Sequence, residues 1–342
     1  MKLLVLGGSR FLGRHLVDAA VARGHAVTVF TRGRMPVPWE ATRVTALSGD
    51  RDPRVGAGLA ALAGGGAWDA VVDTSGYVPR VVDASSALLA DRAARYLFVS
   101  SVSVYADSSR PGIDEGADVL ALADPATEDV LPNYGALKAA CERVVGTRFG
   151  ARASVVRPGL IVGPHDATDR FGYWVARFVQ PHLLGDRPPD AVVPAPPAAP
   201  IQVIDARDLA AWILDLCERD AGGTFNAVSP AGMWTMAALV DALRAASAAP
   251  PRPAWVDDAT LLEHKVEPWV GLPLWLPASE PDSAGFMAVD GRKAQAAGLA
   301  VRPLAATVAD TARWLATRDN SGAWKHVLSA ADERAILAAS QA

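Results

Sequence analysis

The sequence predicts an α/β protein with a doubly wound parallel sheet and a smaller C-terminal cap. Three observations predict this fold. Short apolar runs alternate with helical patterns through the first two-thirds of the 342 residues, a glycine-rich turn follows the first run, and the regularity ends near Pro158. Such alternation is typical of parallel sheets that carry helices on both faces.

Six strands are predicted in the first half, from short apolar runs that end at turn-forming residues. They are Lys2–Leu6, Ala26–Phe30, Val44–Leu47, Ala70–Asp73, Tyr96–Ser100 and Ser154–Arg157. Apolar residues at helical spacing predict the helices that connect these strands. The predicted helices are Phe11–Arg23, Pro53–Ala63, Pro79–Ala90 and Asn133–Phe149.

The pattern changes after Pro158. Segments 181–200 and 250–283 are rich in proline, which is typical of loops. Three elements are expected to rejoin the sheet: the strands Ile201–Ile204 and Thr224–Val228, and the helix Ala206–Leu216. The remaining predicted elements are helices over Thr235–Ser247, Asp290–Ala297, Leu304–Ala316 and Ser329–Ala339.

Composition restricts the class of protein. The net charge is −4 and no lysine-rich run is present, so the chain lacks the positive surface of a nucleic-acid-binding protein. The apolar start is too short for a signal peptide, and no run reaches the ~18 residues of a transmembrane helix. Cys141 and Cys217 lie in apolar helical patterns, and the histidines lack metal-ligand spacing. We expect a cytoplasmic protein with reduced thiols and no metal, nucleic-acid or membrane partner.

The turn from Gly7 to Gly13, G-G-S-R-F-L-G, lies between the first predicted strand and the first predicted helix. At that position backbone N–H groups and the helix dipole can hold a pyrophosphate. Its predicted cofactor contacts are Gly7, Ser9, Arg10, Phe11, Leu12 and Gly13. We therefore predict a dinucleotide-binding domain over residues 1–160, which 201–228 rejoins. Residues 161–200 and 229–342 are predicted to form a substrate-binding cap.

The end of the second strand indicates which nicotinamide cofactor is used. Enzymes specific for NAD usually carry a carboxylate there, which binds the ribose 2′-hydroxyl. This chain has Thr31 and Arg32 instead, and Arg10 lies on the neighbouring loop. Because guanidinium groups suit a 2′-phosphate, NADP is favoured over NAD. Asp50 and Arg51, after the third strand, complete the predicted adenosine site.

A tyrosine and a lysine, Tyr134 and Lys138, are spaced so that they share one face of a predicted helix. An ammonium group beside a phenol favours the phenolate and lowers a pKa that starts near ~10. Such a tyrosine can exchange a proton with a substrate hydroxyl or carbonyl. The pair follows a strand that ends in serines. The serines, the tyrosine and the lysine together predict a dehydrogenase-type site.

These motifs, in this order, resemble the extended short-chain dehydrogenase/reductase superfamily, in its NAD-dependent epimerase/dehydratase branch. The matching segments are 7–13, 100–105 (S-S-V-S-V-Y), Tyr134-x-x-x-Lys138 and 157–159 (R-P-G). The arginine-bearing turn looks like that of an atypical subgroup, which includes chloroplast stem-loop-binding proteins. The resemblance extends from Met1 to about Leu216 and implies a Rossmann fold.

The resemblance also implies roles. Tyr134 would be the general acid/base, Lys138 would lower its pKa and bind the nicotinamide ribose, and Ser101 would orient the substrate oxygen. The further residues expected at the cofactor are Thr74, Ser75, Gly76, Ser100, Pro158, Gly159, Leu160 and Ile161.

Four residues are predicted to contact the substrate: Tyr77, Ser103, His165 and Trp174. Ser103 follows Ser101 by two positions, on the same face of an extended segment. His165 follows a Gly-Pro turn and is considered as a second proton donor. The tryptophans of the cap indicate either a partly apolar pocket for an aromatic or polyketide-like molecule, or core packing.

Three functions remain open. The first is an NAD(P)-dependent oxidoreductase that transfers hydride at a C=O/CH–OH group of a small, partly apolar metabolite. The second is a nucleotide-sugar epimerase or dehydratase with tightly bound NAD, for which Arg170 is one of the scattered basic residues that could hold a diphosphate. The third is a non-catalytic RNA-binding or regulatory relative, which the serine, tyrosine and lysine set disfavours. The expected partners are a small-molecule substrate and a second copy of the chain in a homodimer.

Overall fold

The computed structural model describes residues 1–34, 36–280, 283–320 and 322–340. Its strands, in chain order, are β1 (Lys2–Leu6), β2 (Ala26–Thr31), β3 (Val44–Ser48), β4 (Trp68–Asp73), β5 (Ala93–Val99), β6 (Ala153–Pro158), β7 (Leu160–Val162), β8 (Asp190–Pro194), β9 (Pro200–Ile201), β10 (Val203–Asp205), β11 (Gly223–Ala227), β12 (Trp234–Thr235) and β13 (Arg252–Val256).

Its helices are α1 (Phe11–Ala22), α2 (Ala60–Ala63), α3 (Pro79–Leu89), α4 (Val130–Phe149), α5 (Arg170–Val179), α6 (Ala206–Glu218), α7 (Met236–Ala245), α8 (Asp258–Glu263), α9 (Arg292–Ala296), α10 (Leu304–Thr317) and α11 (Ala330–Ala339). No described helix has both the length and the apolar character that are needed to span a membrane.

A parallel sheet of seven strands, in the order β11-β6-β5-β4-β1-β2-β3, forms the centre of the fold. Residues 3–6 of β1 are fully buried. Leu3 and Val5 belong to the core cluster with α1 and α6, whereas Leu4 and Leu6 belong to the cluster with α3 and α4. Successive residues of the central strand therefore enter two different helix layers, and the predicted doubly wound Rossmann-like fold is confirmed.

A second apolar core lies beside the sheet. Five of its fully buried members are Phe171, Trp174, Val192, Leu239 and Leu315. Small strand pairs, β8 with β13 and β9 with β12, support this region. These elements lie in the C-terminal region that the sequence assigns to the cap.

Two sequence predictions are wrong in detail. The helix predicted over Pro53–Ala63 is helical only from Ala60, because Gly56 and Gly58 have positive φ angles of 55° and 51°. The strand predicted over Ile201–Ile204 does not rejoin the central sheet. It is divided into β9 and β10, which pair with β12 and β7.

Candidate active site

Helix α4 carries Tyr134 in its second turn, and a glycine at the next position lets it approach β5. A methyl group built on Gly135 would lie 2.0 Å from the carbonyl oxygen of Ser103. Only a residue without a side chain therefore allows α4 to pass this close to the segment after β5. Asn133, just before Tyr134, departs from helical geometry at φ −116° and ψ 18°, so the helix is broken one residue before the tyrosine.

Two serine hydroxyls lie beside this contact. Ser101 precedes a short 3₁₀ helix, Val102–Val104, and its Oγ accepts a hydrogen bond from the Ser103 backbone N–H at 3.1 Å. The Ser101 hydroxyl donates to the Ser103 hydroxyl at 3.0 Å. Ser101 lies near enough to the Tyr134 phenol to lower its pKa. The structure thus brings together Ser101, Ser103 and Tyr134, three hydroxyl groups that can hold an oxygen atom.

The pKa of Tyr134 is shifted in the opposite direction to the one that the sequence predicts. Burial raises its pKa above the ordinary value, and the nearby Tyr77 acts in the same direction. The Ser101 hydroxyl and the positive charge of Arg170 lower the pKa, but by less. The expected lowering of the Tyr134 pKa by Lys138 is therefore wrong in this structure, and a protonated phenol is favoured at neutral pH.

Lys138 lies beneath the site and joins two strand ends. Its Nζ donates to the carbonyl oxygens of Gly76, at 2.8 Å, and Val99, at 2.6 Å. The ammonium also lies over the rings of Phe98 and Tyr77, 4.3 and 5.2 Å from their centroids. Burial lowers the pKa of Lys138 to about 8. Since an ammonium has three N–H donors, one remains for a ligand.

The glycine-rich turn has the shape of a dinucleotide cradle. Gly7 has φ 107°, and a methyl group on it would lie 2.5 Å from Thr74 Oγ1. A methyl group on Gly13 would lie 2.7 Å from Gly8 backbone atoms. Arg10 stands at the N-cap of α1 without a capping side-chain bond, so the first N–H groups of a twelve-residue helix have no side-chain acceptor there. These residues fit a dinucleotide pyrophosphate.

The other predicted cofactor residues line the same edge of the sheet. The Thr74 and Ser75 hydroxyls both donate to the Leu6 carbonyl at 3.1 Å, which holds the turn after β4 against the end of β1. The Ser100 hydroxyl is buried, and no described residue hydrogen-bonds it. The segment 158–161 runs from the end of β6 into β7, where a methyl group on Gly159 would lie 3.1 Å from Val228.

The expectation that Arg51 contacts the cofactor is wrong. Its side chain is buried, and its guanidinium holds the Asp73 carboxylate with two bonds of 2.6 and 2.7 Å. A further bond of 2.8 Å reaches Ser85. Asp73 also accepts from the Tyr96 hydroxyl at 2.8 Å and the Ser75 N–H at 3.0 Å. Arg51 therefore organises the floor of the site from within, and its side chain is not available to a cofactor.

The predicted adenosine contacts lie at the surface. Arg10 and Arg32 are exposed, and neither forms an ion pair within the described ranges. Thr31 ends β2, and its hydroxyl accepts the Gly33 N–H at 3.3 Å. Asp50 accepts the Asp52 N–H at 2.9 Å, which leaves its second carboxylate oxygen for a ligand.

The four predicted substrate residues have different surroundings. Tyr77 is 44% exposed, and its ring centroid is 6.4 Å from that of Tyr134. Trp174 is completely buried, and its indole N–H donates to the Pro273 carbonyl at 2.9 Å. Trp174 as a substrate contact is therefore wrong, because it offers no surface to a ligand.

His165 packs between α1 and α10. Its ring centroid lies 5.5 Å from that of His15 and 5.6 Å from that of Trp314. Burial and the charge of Arg14 lower the pKa of His165 to about 4. An imidazole that is neutral at pH 7 is a poor general acid, which argues against the expected second proton donor.

Sequence reasoning missed the buried Asp73 and left Arg170 as a scattered cation. Asp73 is recognisable only as a charged residue at the end of an apolar strand. Arg170 begins α5 directly after the loop that follows β7, and it interacts electrostatically with Tyr134. The signal that distinguishes Arg170 from other arginines is the strongly apolar helix that it begins.

Gly135 yields a first prediction. Gly135→Ala should lower turnover by roughly 10²-fold, because a displacement of α4 would separate Tyr134 from Ser101 and misplacements near 1 Å have effects of that size. Steady-state rates measure the loss. Gly146→Ala on the same helix is the matched control, since nothing lies within 4 Å of its added methyl group. Equal rates in both variants would show that the close approach does not position the tyrosine.

Comparisons with known proteins agree with this geometry. The sequence profile of the NAD-dependent epimerase/dehydratase family matches residues 3–227, which extend from β1 to β11. A 2-alkyl-3-oxoalkanoate reductase from Stenotrophomonas maltophilia (strain K279a) is 35% identical over 182 residues, 48% of this chain and 52% of that protein. A chloroplast stem-loop binding protein of 41 kDa from Arabidopsis thaliana is 32% identical over 119 residues, 31% of each chain. The chain spans about half the length of the first relative and a third of the second.

Solved structures share the fold. A nucleoside-diphosphate-sugar epimerase from Pseudomonas aeruginosa has a TM-score of 0.64 and 21% identity, covering 94% of this chain and 99% of its own. A UDP-glucuronic acid 4-epimerase from Bacillus cereus, in complex with NAD, has a TM-score of 0.63 at 14% identity and covers 93% and 99%. Human epimerase family protein SDR39U1, with NADPH, has a TM-score of 0.58 at 19% identity and covers 92% and 99%. The fold, the glycine cradle and the matched profile lead to one conclusion: the chain belongs to the NAD-dependent epimerase/dehydratase family.

Proposed function

We propose that the protein is an NADP(H)-dependent reductase of a carbonyl group in a small, partly apolar metabolite. The observation that carries this proposal is the meeting of Tyr134, Ser101 and Lys138 at the carboxyl edge of the sheet, beside the glycine cradle. A bound nicotinamide would supply or accept the hydride.

The residues of the chain would then manage the oxygen and its proton. Ser101 and Ser103 hold the carbonyl oxygen through their hydroxyl groups. Tyr134 donates its phenolic proton to that oxygen as the hydride arrives at carbon. The phenol is protonated at neutral pH and therefore carries the proton that reduction requires. The remaining N–H of Lys138 is free to bind a ribose hydroxyl.

The preference for NADP rests on charge. Arg10 and Arg32 flank the end of β2, both are exposed, and the strand ends without a carboxylate. Guanidinium groups recognise phosphate through charge-assisted hydrogen bonds. Four of the solved structures that share the fold are complexes with NAD and one is a complex with NADPH, so they support a nicotinamide cofactor without deciding between the two.

Arg32→Ala should weaken NADPH binding by ~1.5–3 kcal/mol, the scale of a hydrogen bond to a charged group. NADH binding should change little, because NADH has no 2′-phosphate. Calorimetric titration of the native protein and the variant with both cofactors measures the difference. Equal losses for both cofactors would limit the arginine to a role in the loop, and tighter binding of NADH by the native protein would refute the NADP preference.

The type of reaction is tested separately. The 2-alkyl-3-oxoalkanoate reductase among the relatives supports a net reduction, whereas an epimerase would return the hydride to the same molecule. We expect purified protein to exchange its cofactor with solution, and ketones with apolar chains to raise its melting temperature in the presence of NADP. Stabilisation by nucleotide sugars alone, with a cofactor that does not exchange, would favour the epimerase.

The two thiols are compatible with a reducing compartment. Cys141 and Cys217 are both free, and burial raises the pKa of each thiol to about 12. Such thiols are unreactive, as expected of core residues. We therefore keep the cytoplasm as the proposed location.

A further inference from the structure

Arg170 is a half-buried cation that interacts electrostatically with Tyr134 and with the buried Asp166 carboxylate, without a close ion pair to either. No salt bridge joins it to any carboxylate within the described ranges. Asp169, its neighbour, pairs instead with Arg318 at 2.6 Å and accepts the Lys325 N–H at 3.0 Å. Asp166 accepts two bonds from Thr168, of 2.8 and 3.0 Å. Both acids therefore direct their hydrogen bonds to other groups, and Asp166 acts on the guanidinium through its charge alone.

The guanidinium is held in place by an imidazole. Arg170 Nη2 lies 3.4 Å from His326 Nε2, and His326 Nδ1 lies 2.5 Å from the Thr168 carbonyl oxygen. Since Nδ1 faces a carbonyl, it carries the proton, and Nε2 accepts from the arginine. The Arg170 Nε is buried without any hydrogen-bond partner. A buried N–H donor on a charged group is costly unless a ligand satisfies it.

The surroundings of Arg170 are aromatic. Its Cζ lies 5.9 Å from the Trp269 ring centroid, and the Trp269 and Phe286 rings meet edge to face at 5.5 Å. Phe286 packs against the cluster that contains Val102 and Val104, in the 3₁₀ turn next to the serines. This aromatic pair therefore contacts Arg170 through Trp269 and the apolar cluster of the 3₁₀ turn through Phe286.

We propose that Arg170 binds a carboxylate of the substrate, and that the substrate is an oxo acid with an apolar chain. The carboxylate would accept from the guanidinium, the chain would lie against Trp269 and Phe286, and the carbonyl oxygen would face Tyr134 and Ser101. This inference rests on the proposed function and names its substrate class. A single guanidinium whose charge is partly balanced by Asp166 suits the one negative charge of a carboxylate better than the diphosphate of a nucleotide sugar, which needs more positive charge.

The reaction balances without a further reagent. In reduction, the nicotinamide of NADPH gives a hydride to the carbonyl carbon, and the Tyr134 phenol gives a proton to the oxygen. The products are NADP⁺ and the hydroxy acid. The carboxylate on Arg170 keeps its bonds and charge throughout, so Arg170 contributes equally to ground state and transition state and acts mainly on KM.

The test uses the stable hydroxy acid in the oxidative direction. Native protein with NADP⁺ is given 3-hydroxyoctanoate or its methyl ester, and the same pair is given to Arg170→Gln, Arg170→Lys and the surface control Arg143→Gln. We expect Arg170→Gln to lower kcat/KM for the acid by roughly 10–100-fold through KM, the range for hydrogen bonds to a charged group. The ester rate should stay unchanged, Arg170→Lys should recover part of the loss, and Arg143→Gln should behave as native protein.

Any of the following results would overturn the inference: equal use of acid and ester by the native protein, equal losses for both in Arg170→Gln, or binding of UDP-glucose that depends on Arg170. Calorimetry separates this inference from the proposed function. One outcome is that neither compound is oxidised. If the NADP⁺-loaded native protein then binds the acid and Arg170→Gln does not, the carboxylate site is upheld and only the proposed reductase activity fails. Absence of acid binding to native protein refutes the site. Thermal melting of each variant shows that it is folded.

Discussion

Tyr134→Phe should reduce turnover by ~10²–10⁴-fold, the contribution expected of a positioned general acid. The phenylalanine keeps the ring and its packing but cannot donate a proton to the carbonyl oxygen. Ser101 and Ser103 remain in the variant, so substrate binding should be retained and the loss should appear in kcat. Steady-state oxidation of NADPH with a carbonyl substrate measures it.

The chain offers a matched control for this loss. Tyr77 is a second tyrosine whose ring centroid lies 6.4 Å from that of Tyr134, and it has no hydrogen bond to the serines. Tyr77→Phe should therefore cost far less than Tyr134→Phe. Calorimetric titration should give the same NADPH affinity for both variants. Normal turnover by Tyr134→Phe would refute the assignment of the acid.

The second large effect is on stability. Asp73→Ala should lower the free energy of unfolding by ~3–5 kcal/mol, because it leaves the Arg51 guanidinium buried without a counter-charge. Asp73 is fully buried, and its carboxylate also accepts from Tyr96 and Ser75. Urea denaturation followed by fluorescence measures the change.

A double variant identifies the cause of that loss. Arg51→Met combined with Asp73→Leu removes both charges and should recover part of the stability, since replacing a whole buried pair is far less harmful than breaking it. Asp186→Ala, which breaks an exposed pair with Arg334, should have no measurable effect. If the double variant is as unstable as Asp73→Ala, then lost packing explains the result.

The sequence predicted the central sheet well because its signals are local. Buried parallel strands are short apolar runs in the sequence. The turn after the first strand is marked by glycines, at positions where a side chain does not fit. The error over Pro53–Ala63 arose where Gly56 and Gly58 adopt left-handed backbone angles despite an apolar pattern. The error at Ile201–Ile204 concerns pairing partners, which a strand pattern does not contain.

The site was predicted in part. The spacing of Tyr134 and Lys138 was sufficient to predict a shared helix face, but not that Lys138 would turn to the carbonyl oxygens of Gly76 and Val99. Arg51 was assigned by its position after β3, and only the fold shows that its side chain turns inward to Asp73. Trp174 illustrates the same limit, because a tryptophan that lines a pocket and one that fills a core look alike in sequence.

Lys138 has a thermodynamic consequence for ligand binding. Its two carbonyl bonds already fix the side chain before any dinucleotide arrives. Ordering a free lysine side chain costs up to ~2 kcal/mol in rotamer entropy. The protein meets this cost once, during folding, and association with a ribose hydroxyl, as proposed above, would then proceed against a rigid donor. We expect little of the free energy of cofactor binding to be lost in ordering the Lys138 side chain. More of that free energy should therefore appear as measured affinity for the nicotinamide half of the cofactor.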